Sequence, residues 1–254
     1  MNLFYRDHGS GDPLIILHGL FGSGMNWNTL AKYFGEEYQV FLVDQRNHGR
    51  SPHDDLFNYS VMAQDLADFM DQQHIVKASI IGHSMGAKTA TTFALSHPEK
   101  VNKLVAVDMG VKHYPVQDDD LQKGLLSLDF NSIQSRAEAD MALATYISDN
   151  RIRAFIMQNL HWGPDKKMEW RMNVAAIIDN IDEIGKAVEV QSAYEGEVLF
   201  VKAANSDYIL PDDHKGLLEK FPNALIEEIA GAGHWIHADN PADFGAAVLR
   251  FLNS

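Results

Sequence analysis

The chain has 254 residues, of which 46% are hydrophobic and 22% charged, enough for one domain with a substantial buried core. Its net charge of −14 makes a nucleic-acid phosphate backbone a poor partner and opposes anionic substrates wherever basic residues do not cluster. With no cysteine, thiol nucleophiles, disulfides and cysteine-based metal sites are excluded.

Met1 to Asp7 lack the charged-then-apolar layout of a signal peptide. No apolar run approaches the ~20 residues of a membrane span, so a cytoplasmic chain without membrane insertion is expected. Pro13–Leu17 reads as a buried strand leading into His18-Gly19-Leu20-Phe21-Gly22-Ser23-Gly24. Gln39–Val43 reads the same way and opens on Asp44-Gln45-Arg46-Asn47-His48-Gly49-Arg50-Ser51. Tyr59–Gln73 carries Val61, Leu66, Phe69 and Met70 at helical spacing. Ala78–Ile81 is a third apolar run, ending in Gly82-His83-Ser84-Met85-Gly86; a helix over Gly86–Ser96 follows and closes at His97-Pro98. A fourth run, Leu104–Val107, ends at Asp108-Met109-Gly110.

Between Val111 and Val190 this alternation stops. Helical patterns cover Leu121–Ser127, Ser135–Ile147, Ile152–Leu160, Lys167–Ile178 and Ile181–Val188, and no strand is expected. The acidic run Asp118–Asp120 is placed to cap the first of these helices. Phe130, Tyr146, Phe155, Met157, Trp162, Met168, Trp170 and Met172 either line an acyl pocket or pack the insertion onto the core. Strand and helix alternate again through Glu197–Lys202, Asp212–Phe221, Ala224–Ile229 and Pro241–Leu252. Such a pattern predicts an α/β protein with a mostly parallel, doubly wound sheet, whose ligands bind beyond the carboxyl ends of the strands. The expected division is a core of residues 1–110 and 191–254 with a helical cap insertion over residues 111–190.

Chemistry concentrates in the loops that follow the strands. Ser84 sits where a strand hands over to a helix, and Gly82 and Gly86 relieve the crowding of so sharp a turn. The turn clears the hydroxyl from the backbone and aims the first helical N–H groups at the same spot. A serine nucleophile needs a base and a group to orient that base. Among 12 histidines, His234 stands out because Ala230-Gly231-Ala232-Gly233 lets its loop curve back over the strand ends. The orienting acid is Asp108 or Asp207, each of which follows a strand, and the Ser206 hydroxyl is a third candidate partner for the imidazole. Backbone N–H groups of Leu20 and Met85 are candidates for an oxyanion hole, with Phe21 as the alternative to Leu20. His18 is expected to brace its loop. Trp162, in the cap loop 161–164, is a candidate substrate contact. The chain has no H-E-x-x-H motif and no dense His/Asp cluster, so no metal is expected.

The His-Gly-Leu-Phe-Gly-Ser, Asp-Gln-Arg-Asn-His-Gly-Arg-Ser, Gly-His-Ser-Met-Gly, Asn205-Ser206 and Gly-Ala-Gly-His-Trp-Ile-His segments occur in this order along the chain. Together they resemble the α/β-hydrolase superfamily, and specifically the YbfF-type esterases and their abhydrolase relatives. The likeness spans the core from end to end and is looser in the cap. It implies the α/β-hydrolase fold, a carboxylesterase or acyl-CoA thioesterase activity, and neither metal nor cofactor. It also implies an acid at Asp108 and a supporting serine at Ser206; the second aspartate, Asp207, departs from that pattern. Arg46 and His48 either hold a phosphate or carboxylate of a coenzyme A thioester or brace their own turn. The expected partner is a small-molecule ester or thioester, and the chain reads as a monomer or small homo-oligomer. C–C bond hydrolases and perhydrolases use the same triad, and small-molecule receptors share the fold.

Overall fold

The computed structural model describes residues 1–116 and 119–254. The core begins with β1 (Tyr5–His8), β2 (Asp12–Leu17), α1 (Asn28–Phe34), β3 (Tyr38–Val43), α2 (Tyr59–Gln72), β4 (Ala78–His83), α3 (Met85–Ser96) and β5 (Val101–Val107). Next come α4 (Asp119–Ser127), α5 (Arg136–Ala144), α6 (Asn150–Met157), β6 (Leu160–Trp162), β7 (Met168–Trp170), α7 (Val174–Asp179) and α8 (Ile181–Gly185). The chain returns to the core with β8 (Glu197–Ala203), α9 (His214–Lys220), β9 (Ala224–Ile229), α10 (Ile236–Asp239) and α11 (Pro241–Leu252).

Seven strands form one sheet in the order β1-β3-β2-β4-β5-β8-β9. Only the edge strand β1 runs antiparallel; every other pairing is parallel. The central strands are apolar on both faces because helices cover both. Ile15 and Leu17 face the layer of α2, α3 and α9, whereas Leu14 and Ile16 face α1 and α11. Each such side chain, wholly removed from water, contributes roughly 1.5–3 kcal/mol. Parallel register puts the carboxyl ends of β2, β3, β4, β5 and β8 on one rim, so the loops they feed converge there.

A third apolar cluster joins the segment between β5 and β8 to that rim. Leu143, Ile156, Met168, Met172 and Ile177 pack together and against Phe21, Tyr59 and Met85 of the core. The expectation of helices alone in this segment is corrected by a hairpin of β6 and β7, in which Leu160 pairs with Trp170 and Trp162 with Met168. Lys167–Ile178 is therefore a strand followed by the short helix α7. Gly163-Pro164-Asp165-Lys166 makes the reversal, with Lys166 in the left-handed region at φ 61° and a Gly163 N–H bond to the Lys167 carbonyl at 2.7 Å. Strands of three residues are too short to display a period of two. Asp119 and Asp120 occupy the first turn of α4, while Asp118 lies outside the described residues. Among the described residues no helix is long and apolar enough to cross a membrane.

Candidate active site

Ser84 joins β4 to α3 with φ 53° and ψ −118°, a conformation that side chains resist. Such backbone strain costs of order 1–3 kcal/mol and persists where the surroundings over-determine it. A Cβ on Gly82 would lie 2.2 Å from the Gly86 carbonyl oxygen, and one on Gly86 would lie 2.4 Å from that of Leu17. Glycine at both positions is thus a steric requirement of the turn. Ser84 N–H donates to the Val107 carbonyl at 3.1 Å, and its own carbonyl accepts from Ala87 at 2.9 Å. Met85 begins the helix, so its N–H, like those of other first-turn residues, has no intrahelical acceptor.

Asp108 directly follows β5, the neighbouring strand, in the left-handed region at φ 46° and with no solvent exposure. One carboxylate oxygen accepts from Ala203 N–H at 3.0 Å. The other accepts from the Ser206 hydroxyl at 2.5 Å and from His234 Nδ1 at 2.8 Å. With the Nδ1 proton given to Asp108, Nε2 of His234 keeps its lone pair, the tautomer a general base needs. The His234 backbone carbonyl accepts from Nε2 of buried His83 at 2.8 Å, and Tyr208 stacks on the imidazole with ring centroids 4.1 Å apart. Asp207, the alternative acid, is exposed and forms no hydrogen bond among the described residues. Ser84 and His234 line one cavity without a hydrogen bond between them; such contacts commonly tighten when substrate binds.

The loop after β2 presents the second backbone donor. Phe21, at φ 59°, donates its N–H to His48 Nε2 at 3.1 Å and is already committed. Leu20 N–H has no acceptor among the described residues, and Leu20 and Met85 both line the cavity with Ser84. His48 is fully buried and returns its Nδ1 proton to the Arg46 carbonyl at 3.0 Å. Arg46 is buried too, bonding Asp65 at 2.5 Å and the Leu56 carbonyl at 2.6 Å. Neither residue lines the cavity; of the two readings, their contacts are those of bracing in the 44–51 loop. His18 plays a matching part: its Nε2 accepts from Gln45 N–H at 3.0 Å and its Nδ1 donates to the Gly19 carbonyl at 2.8 Å.

Burial pushes His18 down to about 4 and His48 down to about 3, so both are neutral in the folded protein. In the unfolded chain histidine titrates near 6.5, so below that pH the unfolded state binds more protons and stability falls. Each residue is expected to remove about 2 kcal/mol of stability between pH 7.5 and 5. The check is urea unfolding at the two pH values; an unchanged midpoint would contradict neutral burial.

Over the strand ends lies a cavity of about 370 Å³. The core supplies Leu20, Met85 and Met109, and the segment above it supplies Ile152, Phe155 and Ile184. Of the large cap residues singled out from sequence, Phe155 alone lines it. Met157, Met168 and Met172 are buried in the cluster beneath, and Trp162 is 55% exposed on the hairpin and makes no part of the wall. Lys88, which sequence reasoning missed, lies one helical turn beyond Ser84; a spacing of four on a predicted helix was the available signal. Its ammonium donates to the Gly185 carbonyl at 3.1 Å and to that of Lys186, joining α3 to the end of α8. Burial lowers its pKa to about 8.

Comparison with known proteins agrees with this architecture. A solved structure described as a marine microorganism esterase superposes with a TM-score of 0.95 at 40% identity, covering 98% of this chain and 99% of that one. The sn-1-specific diacylglycerol lipase ABHD11 of Xenopus laevis is 37% identical over 96% of this chain and 80% of its own length. Esterase YbfF of Escherichia coli (strain K12) is 35% identical over 96% of this chain and 94% of its own. Residues 12–241 match the family described as the α/β hydrolase fold, and the chain belongs to that family.

Proposed function

We propose that this hydrolase cleaves carboxylic esters and acyl thioesters through an acyl-serine intermediate. Ser84 attacks the acyl carbonyl while His234 Nε2 takes its proton and passes it to the departing alcohol or thiol. Asp108 holds the imidazole in its reactive tautomer, and Ser206 holds the carboxylate. Leu20 and Met85 N–H groups stabilise the oxyanion, a contribution worth about 10²–10³ in turnover for a single donor. Water activated by His234 then releases the acid. The acyl group lies against Leu20, Met85, Ile152, Phe155 and Ile184, an apolar wall that favours hydrocarbon over charged chains.

The observation that carries this reading is the hydrogen-bonded series His234–Asp108–Ser206, whose His234 lines the same cavity as Ser84. The test uses a p-nitrophenyl carbamate, whose carbamoyl-serine is hydrolysed slowly, followed by peptide mass spectrometry. Stoichiometric p-nitrophenol release with the carbamoyl group on the Ser84 peptide is expected. Turnover of p-nitrophenyl butyrate by protein that leaves Ser84 unmodified would overturn it. A panel of acyl esters and the matching acyl-CoA thioesters then ranks the two substrate classes.

A further inference from the structure

Five of the eight arginines of this acidic chain have hydrogen-bonded or ion-paired partners among the described residues. Arg46, Arg151, Arg153 and Arg250 each meet a carboxylate, and Arg136 donates to the Leu160 and Met157 carbonyls. Arg6, Arg50 and Arg171 differ: among the described residues their guanidiniums have neither a hydrogen-bonded nor an ion-paired partner. Nη1 of Arg6 is buried with no acceptor among the described residues.

These unpaired cations are also gathered in one place from segments far apart in sequence. Arg6 lies on β1, Arg50 near the end of the 44–51 loop, and Arg171 just after β7. The Phe4 ring carries the Arg6 and Arg50 guanidiniums, 5.1 and 5.2 Å from its centroid. Phe4 N–H donates to the Ser51 hydroxyl at 2.8 Å and its carbonyl accepts from Asp44 at 2.9 Å, which fixes the loop to this platform. Arg171 is brought in from above: His53 Nε2 donates to its carbonyl at 3.1 Å, and Asn173 N–H bonds the Asn47 carbonyl at 2.8 Å. Burial and the positive charges of Arg50 and Arg6 lower the Arg171 pKa, so the three charges act on one another. Asp44 and Glu169 offset this in part, and each is also engaged elsewhere. Asp44 accepts backbone N–H bonds from Gly24 and Arg50, and Glu169 pairs with His161.

Like charges that neighbouring carboxylates only partly offset destabilise the fold, and a bound anion reverses that effect. Forked guanidinium donors suit oxyanions, and a phosphate monoester offers up to two negative charges where a carboxylate offers one. We propose that Arg6, Arg50 and Arg171 form a binding site for a phosphate-class dianion at the junction of core and cap, outside the acyl cavity. The dianion is inorganic phosphate or a phosphoryl group on the alcohol or thiol part of a substrate; the second source rests on the esterase reading.

Thermal unfolding of the whole chain in sodium phosphate, against sodium chloride at equal ionic strength, tests the site without any turnover. Phosphate at tenfold its dissociation constant is expected to raise the midpoint by about 3 °C over chloride. Arg171→Gln and Arg50→Gln are each expected to weaken phosphate at least about tenfold, and Arg50 is exposed, so its replacement spares the fold. Equal midpoints in the two salts for the unsubstituted chain, or unchanged phosphate affinity in both variants, overturns the proposal. KM values for an acyl thioester of a phosphorylated thiol and for its unphosphorylated counterpart distinguish the sources. A rise confined to the phosphorylated substrate in Arg50→Gln assigns the site to the substrate; an unchanged ratio with phosphate binding intact assigns it to free phosphate. If neither thioester is turned over, the thioester part of the esterase reading fails and the binding result still stands.

Discussion

Ser84→Ala is expected to lower kcat for p-nitrophenyl butyrate by about 10⁴–10⁶-fold, with an unfolding midpoint close to that of the unsubstituted chain. The two halves of this result come from different parts of the site. Ser84 holds φ 53° because Gly82 and Gly86 press against backbone on either side, and alanine meets the same strain with the same Cβ. The fold therefore loses only a hydroxyl. Catalysis loses the atom that carries the acyl group, and the residual rate is the one that the oxyanion amides and the cavity provide to water. Activity above about 1% of the original, after exclusion of contaminating enzyme, would remove Ser84 from the mechanism.

Asp108→Asn is expected to lower kcat by about 10⁴-fold, whereas Asp207→Asn changes it by less than about twofold. The carboxylate of Asp108 accepts on both oxygens, from Ala203 N–H on one and from Ser206 and His234 on the other. An asparagine that keeps its carbonyl towards Ala203 turns its amide N–H₂ towards His234. The imidazole must then accept on Nδ1, which places the proton on Nε2 and blocks the base. The reverse orientation sets N–H₂ against the Ala203 N–H inside a fully buried pocket, where an unsatisfied donor costs about 1–3 kcal/mol. Asp207 is exposed and has no such obligations. Loss of activity from Asp207→Asn alone would reverse the assignment.

The alternation of buried runs with helical patterns, and the small residues around Ser84 and before His234, are properties of neighbouring residues. They make the sheet class, the turn at Ser84 and the position of His234 legible in the amino-acid sequence. Edge strand β1 is not legible there, because Tyr5–His8 shows no apolar run and pairs only through β3. The β6–β7 hairpin is hidden for a related reason: three residues carry too little pattern to outweigh the helical spacing of Asn173–Ile178 beside them.

The remaining assignments depend on contacts between residues far apart in the chain. Asp108 and Asp207 both follow strands; the left-handed turn at Asp108 and the pairing of β5 with β8 bring the first under His234 and leave the second in solvent. Leu20 and Phe21 are adjacent amides, distinguished by an imidazole that arrives from residue 48. Arg46 reads as either an anion contact or a brace of its own turn until Asp65 of α2 is found against it. The reverse holds for Arg6, Arg50 and Arg171, which no local pattern connects and which only the docking of the β6–β7 hairpin against the 44–51 loop assembles. Backbone conformation and burial periodicity are short-range and appear in sequence. The partner of a charge or an amide is chosen by packing, and that choice is visible only in three dimensions.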